Sequence, residues 1–271
     1  MAKVSLYRYF DDIKAYESYL ESHEVQKAFT AHQSSKTGTK RFTGTSSYAD
    51  ANCRLLYGDK QLAKQIVMLG RGVFDKIRAK YTIRRTYQSH ICGQIANVPN
   101  YISGNPNTMI QVRQIHQRQP VLTIGYNTAV RGYVSRESVV RATINLLAAI
   151  VMFESKGIRV SFYTLNHDET GDGENSYAIK IKSAGQPLDL LKMAYPMAHP
   201  SMNRRHKFRY TEVTEGVPAS FAWGYGAPVD DEQRMKKHFK KHGLNFDACL
   251  SFDSIRDKTP EQIAAHICGA K

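Results

Sequence analysis

Three segments of the chain place basic and aromatic side chains close together, at residues 36–42, 78–87 and 204–210. Single-stranded nucleic acid is held by cationic side chains along its backbone and by planar rings or guanidinium groups on which its bases stack. Each segment supplies both ingredients, so the sequence predicts that they bind nucleic acid. The residues expected to make the contacts are Lys36, Lys40, Arg41, Phe42, Arg78, Lys80, Tyr81, Arg84, Arg85, Tyr87, Arg204, Arg205, Lys207, Arg209 and Tyr210.

The third of these segments has a period of two. The alternation predicts a β-strand with Arg205, Lys207 and Arg209 on one face. The other face would carry His206, Phe208 and Tyr210. Such a strand could present its basic face to phosphates while its rings pack inward. A solvated edge strand that is protected by charge would show the same pattern.

The positive charge of the chain is concentrated in one third of its length. There are 38 Lys and Arg residues against 24 Asp and Glu residues, which gives a formal net charge of +14. Residues 36–120 carry 14 of the basic and 3 of the acidic residues, and therefore +11 of that total. A surface with one dominant sign attracts polyanions, which favours a nucleic-acid partner over a merely soluble basic face.

Several common functional motifs are missing from the sequence. The glycines at 38 and 44 lack the Gly-Lys-Ser/Thr ending of a phosphate-binding loop, so ATP hydrolysis is not expected. No helix-turn-helix, zinc-finger or basic-zipper pattern supports readout of duplex DNA. The four cysteines are scattered, without the two-residue spacing of a zinc site, and are expected to be core residues. We therefore predict no cofactor.

One cluster of polar residues could bind a cation. It comprises His167, Asp168, Glu169, Asp172 and Glu174. Its spacing matches no calcium loop, so we expect a solvated turn between two strands and leave metal binding open. No catalytic set of Ser, His and Asp, or of Cys and His, can be assembled with any specificity. The sequence therefore predicts a protein that is not an enzyme.

The first part of the chain, residues 1–120, is expected to be mainly helical. Apolar and aromatic residues at helical spacing predict an amphipathic helix over 5–22, whose aromatic stripe packs in the core or against another subunit. Residues 33–46 are rich in Ser, Thr and Gly and are expected to form a loop. Further helices are predicted over 48–57 and 62–77.

The second part, residues 121–271, is expected to be centred on a sheet. The predicted strands are 121–126, 158–165, 177–182 and 246–252, and the predicted helices are 136–156, 188–197, 230–242 and one that opens at 259–262. A strand, a crossover helix and a second strand predict a βαβ unit with a parallel pair. The fold class is therefore α/β, or α+β, with a mixed sheet and not an OB fold. A single compact domain made of both parts is the alternative.

The βαβ unit invites comparison with von Willebrand A-type domains, in which an Asp-x-Ser-x-Ser loop after the first strand binds a metal. Residues 125–131 occupy that position here and lack the acid, so no such metal site is expected. No run reaches the ~18 apolar residues of a membrane helix. Residues 1–8 also lack the apolar core of a signal peptide. The sequence therefore predicts a location in the cytoplasm.

Three short blocks resemble a loosely defined family of phage and mobile-element proteins. They are residues 42–48, 98–106 and 198–205. Within that group the chain is most similar to the Drc family, the single-stranded-DNA-binding RNA polymerase cofactors of some schitoviruses. The resemblance implies binding at locally unwound promoters, recruitment of a phage RNA polymerase of the single-subunit type, and a fold distinct from OB-type single-strand binders. It transfers no individual functional residue.

Charge, aromatic content and resemblance together predict a phage protein that binds single-stranded DNA in the host cytoplasm and contacts an RNA polymerase. Two alternatives remain open. A virion or assembly protein that neutralises packaged genome would bind duplex and single strand alike. A nucleic-acid-processing enzyme would use the acidic cluster at 168–174 and would depend on a divalent metal.

Overall fold

A mixed β-sheet flanked by helices organises the described part of the chain, which in the computed structural model covers residues 3–31, 33–80, 86–113 and 120–269. Side chains at 76–80, 86–87 and 112–113 lie outside the description. The strands are β1 (Val4–Phe10), β2 (Thr86–His90), β3 (Ile95–Ala96), β4 (Met109–Arg113), β5 (Val121–Asn127), β6 (Arg159–Glu169), β7 (Gly173–Lys182), β8 (Ala227–Pro228) and β9 (Ala248–Leu250).

The α-helices of the described residues are α1 (Ile13–Ser22), α2 (Ser34–Thr37), α3 (Lys40–Thr43), α4 (Tyr48–Tyr57), α5 (Lys60–Lys80), α6 (Val98–Ile102), α7 (Arg136–Ser155), α8 (Leu190–Ala198), α9 (Phe208–Val213), α10 (Glu232–Lys241), α11 (Phe252–Ile255) and α12 (Pro260–Gly269). A π-helical turn, Met202–Lys207, runs directly into α9. A 3-10 helix, Ala219–Trp223, follows later in the chain.

The larger sheet has the strand order β1-β7-β6-β5-β9, and β8 pairs with β6. β1 pairs in parallel with β7, and β5 pairs in parallel with both β6 and β9, whereas β6 and β7 are antiparallel. A separate antiparallel sheet has the order β2-β4-β3. The sheet is therefore mixed and open, and the α/β class expected from the sequence is confirmed.

The predicted βαβ unit is present as β5, α7 and β6. Ser135 caps α7, because its hydroxyl accepts a hydrogen bond from the Ser138 amide at 3.2 Å. By length and composition α7 could cross a membrane, but 67% of its most apolar stretch is buried. It packs against α5, α8, α12 and the sheet, as the core helix of a compact, soluble fold does. The main hydrophobic core lies around it.

β5 lies in the interior of the sheet and has a neighbouring strand on each side of its carboxyl end. β6, the next strand in sequence, lies on one side, and β9 lies on the other. Tyr126 is level with Leu250, so the parallel strands β5 and β9 end at the same edge. Strand order reverses at this point, and in open α/β sheets such switch points are where ligands bind. Asn127 closes the turn, accepting from the Ala129 amide and donating to the Val229 carbonyl, both at 3.1 Å.

The helix predicted over 5–22 is wrong in its first half. Residues 4–10 form β1 instead, paired along its whole length with β7. Asp12 then begins α1 by accepting a hydrogen bond from the Ala15 amide at 2.7 Å. The aromatic stripe does pack in the core, where Phe10 and Tyr16 contact Tyr177. Residues 4–10 form a strand because the open edge of β7 offers them backbone hydrogen-bond partners. The local sequence gives no sign of this long-range pairing.

The segment expected to be a strand, 204–210, is helical instead. It lies across the π-helical turn and α9. Three consecutive side chains, those of Arg205, His206 and Lys207, are all buried, which a two-sided strand with one solvated face does not allow. The correction removes the basic strand face that the alternation had predicted.

Other elements agree with the sequence more closely. α4 begins after Ser47, whose hydroxyl accepts from the Asp50 amide, and α10 lies within the predicted 230–242. Thr259 and Gln262 form the predicted capping box, with each side chain accepting a hydrogen bond from the other's amide. The predicted strand at 246–252 is shorter, as β9. Residues 33–46 contain two one-turn helices, α2 and α3, in place of a continuous loop.

The division at residue 120 does not separate helices from sheet. β1 belongs to the first part of the chain, yet it is an edge strand of the sheet built by the second part. The large sheet therefore takes strands from both predicted parts.

Candidate nucleic-acid interface

The first basic-aromatic segment lies on the surface. The side chains of Lys36, Lys40 and Arg41 are exposed, and the Phe42 ring is 39% exposed. Among the residues that the structure describes, no carboxylate lies within 4.0 Å of these three cationic groups. Their charge is therefore directed to solvent and is available to a phosphate backbone.

Arg204 joins this segment from the third one. Its guanidinium lies over the Phe42 ring, 4.4 Å from the ring centroid. The same group donates to the Phe42 carbonyl at 2.7 Å and to the Gly132 carbonyl at 2.9 Å. Partial burial lowers the pKa of Arg204, and guanidinium groups stay charged in proteins. The result is a positively charged plane fixed on an aromatic ring.

Two further rings, here called the ladder of rings, pack in series next to Phe42. Phe208 lies 6.4 Å from Phe42 between ring centroids, and Tyr225 stacks on Phe208 at 3.9 Å, with their planes within 9°. Tyr225 adopts a left-handed backbone conformation, with a φ of 64°. Its hydroxyl donates to Glu212 at 2.7 Å and accepts from the Ser34 amide at 3.0 Å, and these bonds hold the strained residue in place.

The loop that follows β5 adds residues that sequence reasoning missed. Arg131 and Tyr133 are exposed in this loop, Tyr133 to 77%, and the exposed Arg136 begins α7 directly after it. Arg131 is partly neutralised by Asp230 at 3.3 Å. Because Arg204 binds the Gly132 carbonyl, this loop adjoins Phe42. Its place after the first strand of a βαβ unit is the signal that could have identified it.

Arg205 was expected to contact nucleic acid, and the structure corrects this. The side chain is fully buried and makes five hydrogen bonds to the segment 35–45. They reach the carbonyls of Ser35, Lys36, Gly38 and Thr45, and the Thr45 hydroxyl. Its donors are saturated by the protein itself, so Arg205 shapes the segment that carries Lys36 and Phe42 and does not bind phosphate.

The predicted nucleic-acid contacts of Lys207, Arg209 and Tyr210 are also wrong, because all three side chains are buried. Lys207 pairs with Asp168 at 3.0 Å. Arg209 donates to backbone carbonyls at the end of α1, and the Tyr210 hydroxyl donates to a β7 carbonyl at 2.9 Å. Of the five candidates in the third segment, only Arg204 reaches the surface.

The second segment falls largely outside the described residues. Tyr81, Arg84 and Arg85 lie outside them entirely. Arg78 and Lys80 end α5, and Tyr87 lies in β2, at positions whose side chains are not described. A contact between these six residues and nucleic acid stays a prediction.

The cluster at 167–174 is not the solvated turn that was expected. β6 continues through Glu169, and His167 and Asp168 are buried, so that only residues 170–172 form the turn. His167, Glu174 and His238 bring three potential metal-ligand atoms within 4.8 Å of one another. Among the described residues this group could hold a metal ion.

Comparison with known proteins identifies a family and no characterised relative. No curated protein and no solved structure matches the chain. The family described as Domain of unknown function (DUF7192) matches residues 2–266, which is nearly the whole chain. The chain belongs to the DUF7192 family.

Proposed function

We propose that the protein binds single-stranded DNA through a surface formed by Lys36, Lys40, Arg41, Phe42 and Arg204, named here the stacking platform. The observation that carries the proposal is the Arg204 guanidinium lying 4.4 Å over the partly exposed Phe42 ring, among cationic groups that face solvent. An unstacked base can cover a ring or a guanidinium plane while nearby cations neutralise its phosphate.

The shape of the platform favours a single strand over a duplex. Bases in a duplex are already stacked on one another and expose only their edges in the grooves. Phe42 and Arg204 offer planar faces, which match the faces of unpaired bases. The carboxyl edge of β5, where the Gly132 loop adjoins the platform, supplies Arg131 and Arg136 as further phosphate contacts.

On its resemblance to the polymerase cofactors of schitoviruses, we propose that the protein acts in the host-cell cytoplasm as a non-enzymatic cofactor of a phage RNA polymerase. Binding to one strand would hold a promoter open while a second surface recruits the polymerase. The exposed cationic groups of the platform support the DNA-binding half of this proposal. Recruitment depends on the resemblance alone, and co-purification with the phage polymerase tests it.

Fluorescence anisotropy of labelled oligonucleotides tests DNA binding. We expect the protein to bind single-stranded DNA more tightly than a matched duplex, with an affinity that falls as salt rises. Lys40→Glu combined with Arg41→Glu should weaken binding at least about tenfold. The slope of log affinity against log salt should fall by about 1.4, since each phosphate contact on a single strand contributes about 0.7.

The matched control is the double variant Lys14→Glu with Lys192→Glu. It reverses the charge of two exposed side chains outside the platform and changes the net charge by the same amount. If both double variants lose affinity equally, general charge and not the platform holds the DNA. Equal binding of duplex and single strand would favour a protein that neutralises packaged genome. Absence of binding would show that the positive charge serves a protein partner.

A further inference from the structure

A second polar cluster, which shares no residue with the stacking platform, lies where β6, β7 and α10 meet. His167 comes from β6, Glu174 from β7 and His238 from α10. His167 is fully buried, and the His238 side chain is only 7% exposed. The Glu174 Oε2 atom lies 3.4 Å from His167 Nε2 and 3.4 Å from His238 Nδ1.

Hydrogen bonding determines which His238 nitrogen carries the proton. The Ser176 hydroxyl donates to the Leu6 carbonyl at 2.9 Å, so it offers only lone pairs to His238 Nε2 at 2.7 Å. His238 Nε2 is therefore the protonated nitrogen of the neutral ring. Its Nδ1 lone pair then faces the Glu174 carboxylate, which is also an acceptor. A cation between these two acceptors would relieve their mutual repulsion.

Imidazole nitrogens and a carboxylate oxygen are among the ligands that zinc uses. Two histidines and one glutamate, with three potential ligand atoms in one cluster, therefore form a donor set suited to zinc.

The spacing of the three atoms fits a metal better than it fits hydrogen bonds. An N–H···O hydrogen bond is typically about 2.9–3.0 Å long, shorter than both 3.4 Å separations. Two ligand atoms bound to one tetrahedral zinc ion, each about 2.1 Å from it, are about 3.4 Å apart. The three ligand atoms lie within 4.8 Å of one another.

The surroundings hold the carboxylate ligand in position. Arg234 donates to Glu174 Oε1 and, at 2.6 Å, to Glu169 Oε2, which leaves Glu174 Oε2 to face the histidines. A hydrogen bond to the other oxygen is how ligating carboxylates are commonly oriented. The two carboxylates carry one negative charge more than Arg234 balances, so a bound cation would be favoured.

One side of the cluster opens into a cavity of about 310 Å³. Glu174 and His238 line it together with Arg234, Lys237 and Lys241, against one further carboxylate, Asp231. Three protein ligands with one open side are typical of zinc sites that bind an exchangeable fourth ligand. The cationic Lys237 and Lys241 side chains favour an anion such as phosphate in that position.

We propose that His167, Glu174 and His238 bind a zinc ion whose fourth coordination position faces this cavity and accepts an anionic, phosphate-like ligand. This site shares no residue with the stacking platform.

The proposal can be tested by metal titration. The whole, untagged protein is first dialysed against a chelator and then titrated with zinc. We expect one equivalent of zinc to bind with a dissociation constant below about 1 µM, measured by competition with a chromophoric chelator. Glu174→Gln and His238→Gln should each weaken binding at least about tenfold. His266→Gln, at a partly exposed histidine that pairs with Glu232, is the matched control and should bind zinc as the unmodified protein does.

Cobalt substitution separates this site from the cysteines. Cobalt bound by nitrogen and oxygen should give visible absorption without the near-ultraviolet thiolate band that cysteine ligation produces. Adding inorganic phosphate should shift that visible absorption, and Lys237→Glu should reduce the shift. A thiolate band, less than one equivalent of zinc, or zinc affinity unchanged in both ligand variants would overturn the proposal.

Discussion

The Arg204 guanidinium lies 4.4 Å from the centroid of the Phe42 ring and donates hydrogen bonds to the carbonyls of Phe42 and Gly132. One side chain thereby joins two segments that are distant in sequence, the α3 turn and the loop after β5. Because two carbonyls and a ring fix its position, little conformational entropy would be lost when a base stacks beside it. Such preorganisation increases affinity without adding contacts.

Replacing Phe42 by Ala should weaken binding to single-stranded DNA about fivefold to a hundredfold. Stacking of a base on an aromatic side chain contributes about 1–3 kcal/mol, and the variant loses both the ring and the support of Arg204. Anisotropy at constant salt measures the change. Tyr57→Ala removes a ring that is 74% exposed elsewhere and serves as the control. An affinity equal to that of the control variant would exclude Phe42 as a stacking residue.

Trp223 offers a direct optical test of the same surface. It is the single tryptophan of the chain, and its side chain is 91% exposed. It ends the 3-10 helix two residues before Tyr225, which stacks on Phe208 behind Phe42. An exposed indole that lies close in sequence to Tyr225 is suited to stack on a base.

We therefore expect Trp223 fluorescence to be quenched as oligothymidylate is added, in step with anisotropy. Trp223→Ala should lower affinity about fivefold to a hundredfold, as expected for one stacked base. A matched duplex should quench less at equal saturation. Unchanged fluorescence at saturating single strand would place the bound DNA away from this residue.

The elements that sequence predicted well are those whose signals are local. The βαβ unit combines an apolar strand, a helix capped by Ser135 and a second apolar strand. The exposure of Lys36, Lys40 and Arg41 follows from the polar, glycine-rich composition of their segment. These features depend on residues that are neighbours along the chain, so they can be predicted from one sequence.

The failures depend on partners far along the chain. β1 carries a pattern compatible with a helix, and only the edge of β7 makes it a strand. Arg205 and Lys207 have the composition of a phosphate-binding surface. Their partners, the carbonyls of 35–45 and Asp168, are not adjacent in sequence. Burial of these cations could therefore not be predicted from charge and alternation.

Adjacent arginines should consequently respond differently to substitution. Arg205→Met should lower the free energy of unfolding by about 3 kcal/mol or more, because buried carbonyls and the Thr45 hydroxyl would lose their donor. Arg204→Met should change stability by less than about 1 kcal/mol while weakening DNA binding, since its bonds lie at the surface. Denaturant unfolding and anisotropy separate the two effects. Equal stability of the two variants would contradict the assignment of Arg205 to the core.

Stability should also depend on pH through His206. Its ring is fully buried beside the Tyr195 hydroxyl, at 2.9 Å. Burial, opposed by the Ala51 backbone and aided by His199 and Arg205, lowers its pKa to about 3. In the unfolded chain its pKa is about 6.5. Between these values the unfolded state holds a proton that the native state does not. The contribution of His206 is therefore complete above pH 6.5 and is lost as pH falls towards 3.

At pH 5 this loss should amount to about 2 kcal/mol relative to pH 7.5. His206→Gln removes the titrating group and keeps a hydrogen-bonding side chain. Between pH 7.5 and pH 5, the unfolding free energy of this variant should therefore fall by about 2 kcal/mol less than that of the unmodified protein. Urea unfolding at the two pH values measures the difference, with His266→Gln as a control that should follow the unmodified protein. An identical pH dependence in His206→Gln would mean that other groups cause the acid sensitivity, such as His199, whose pKa burial lowers to about 4.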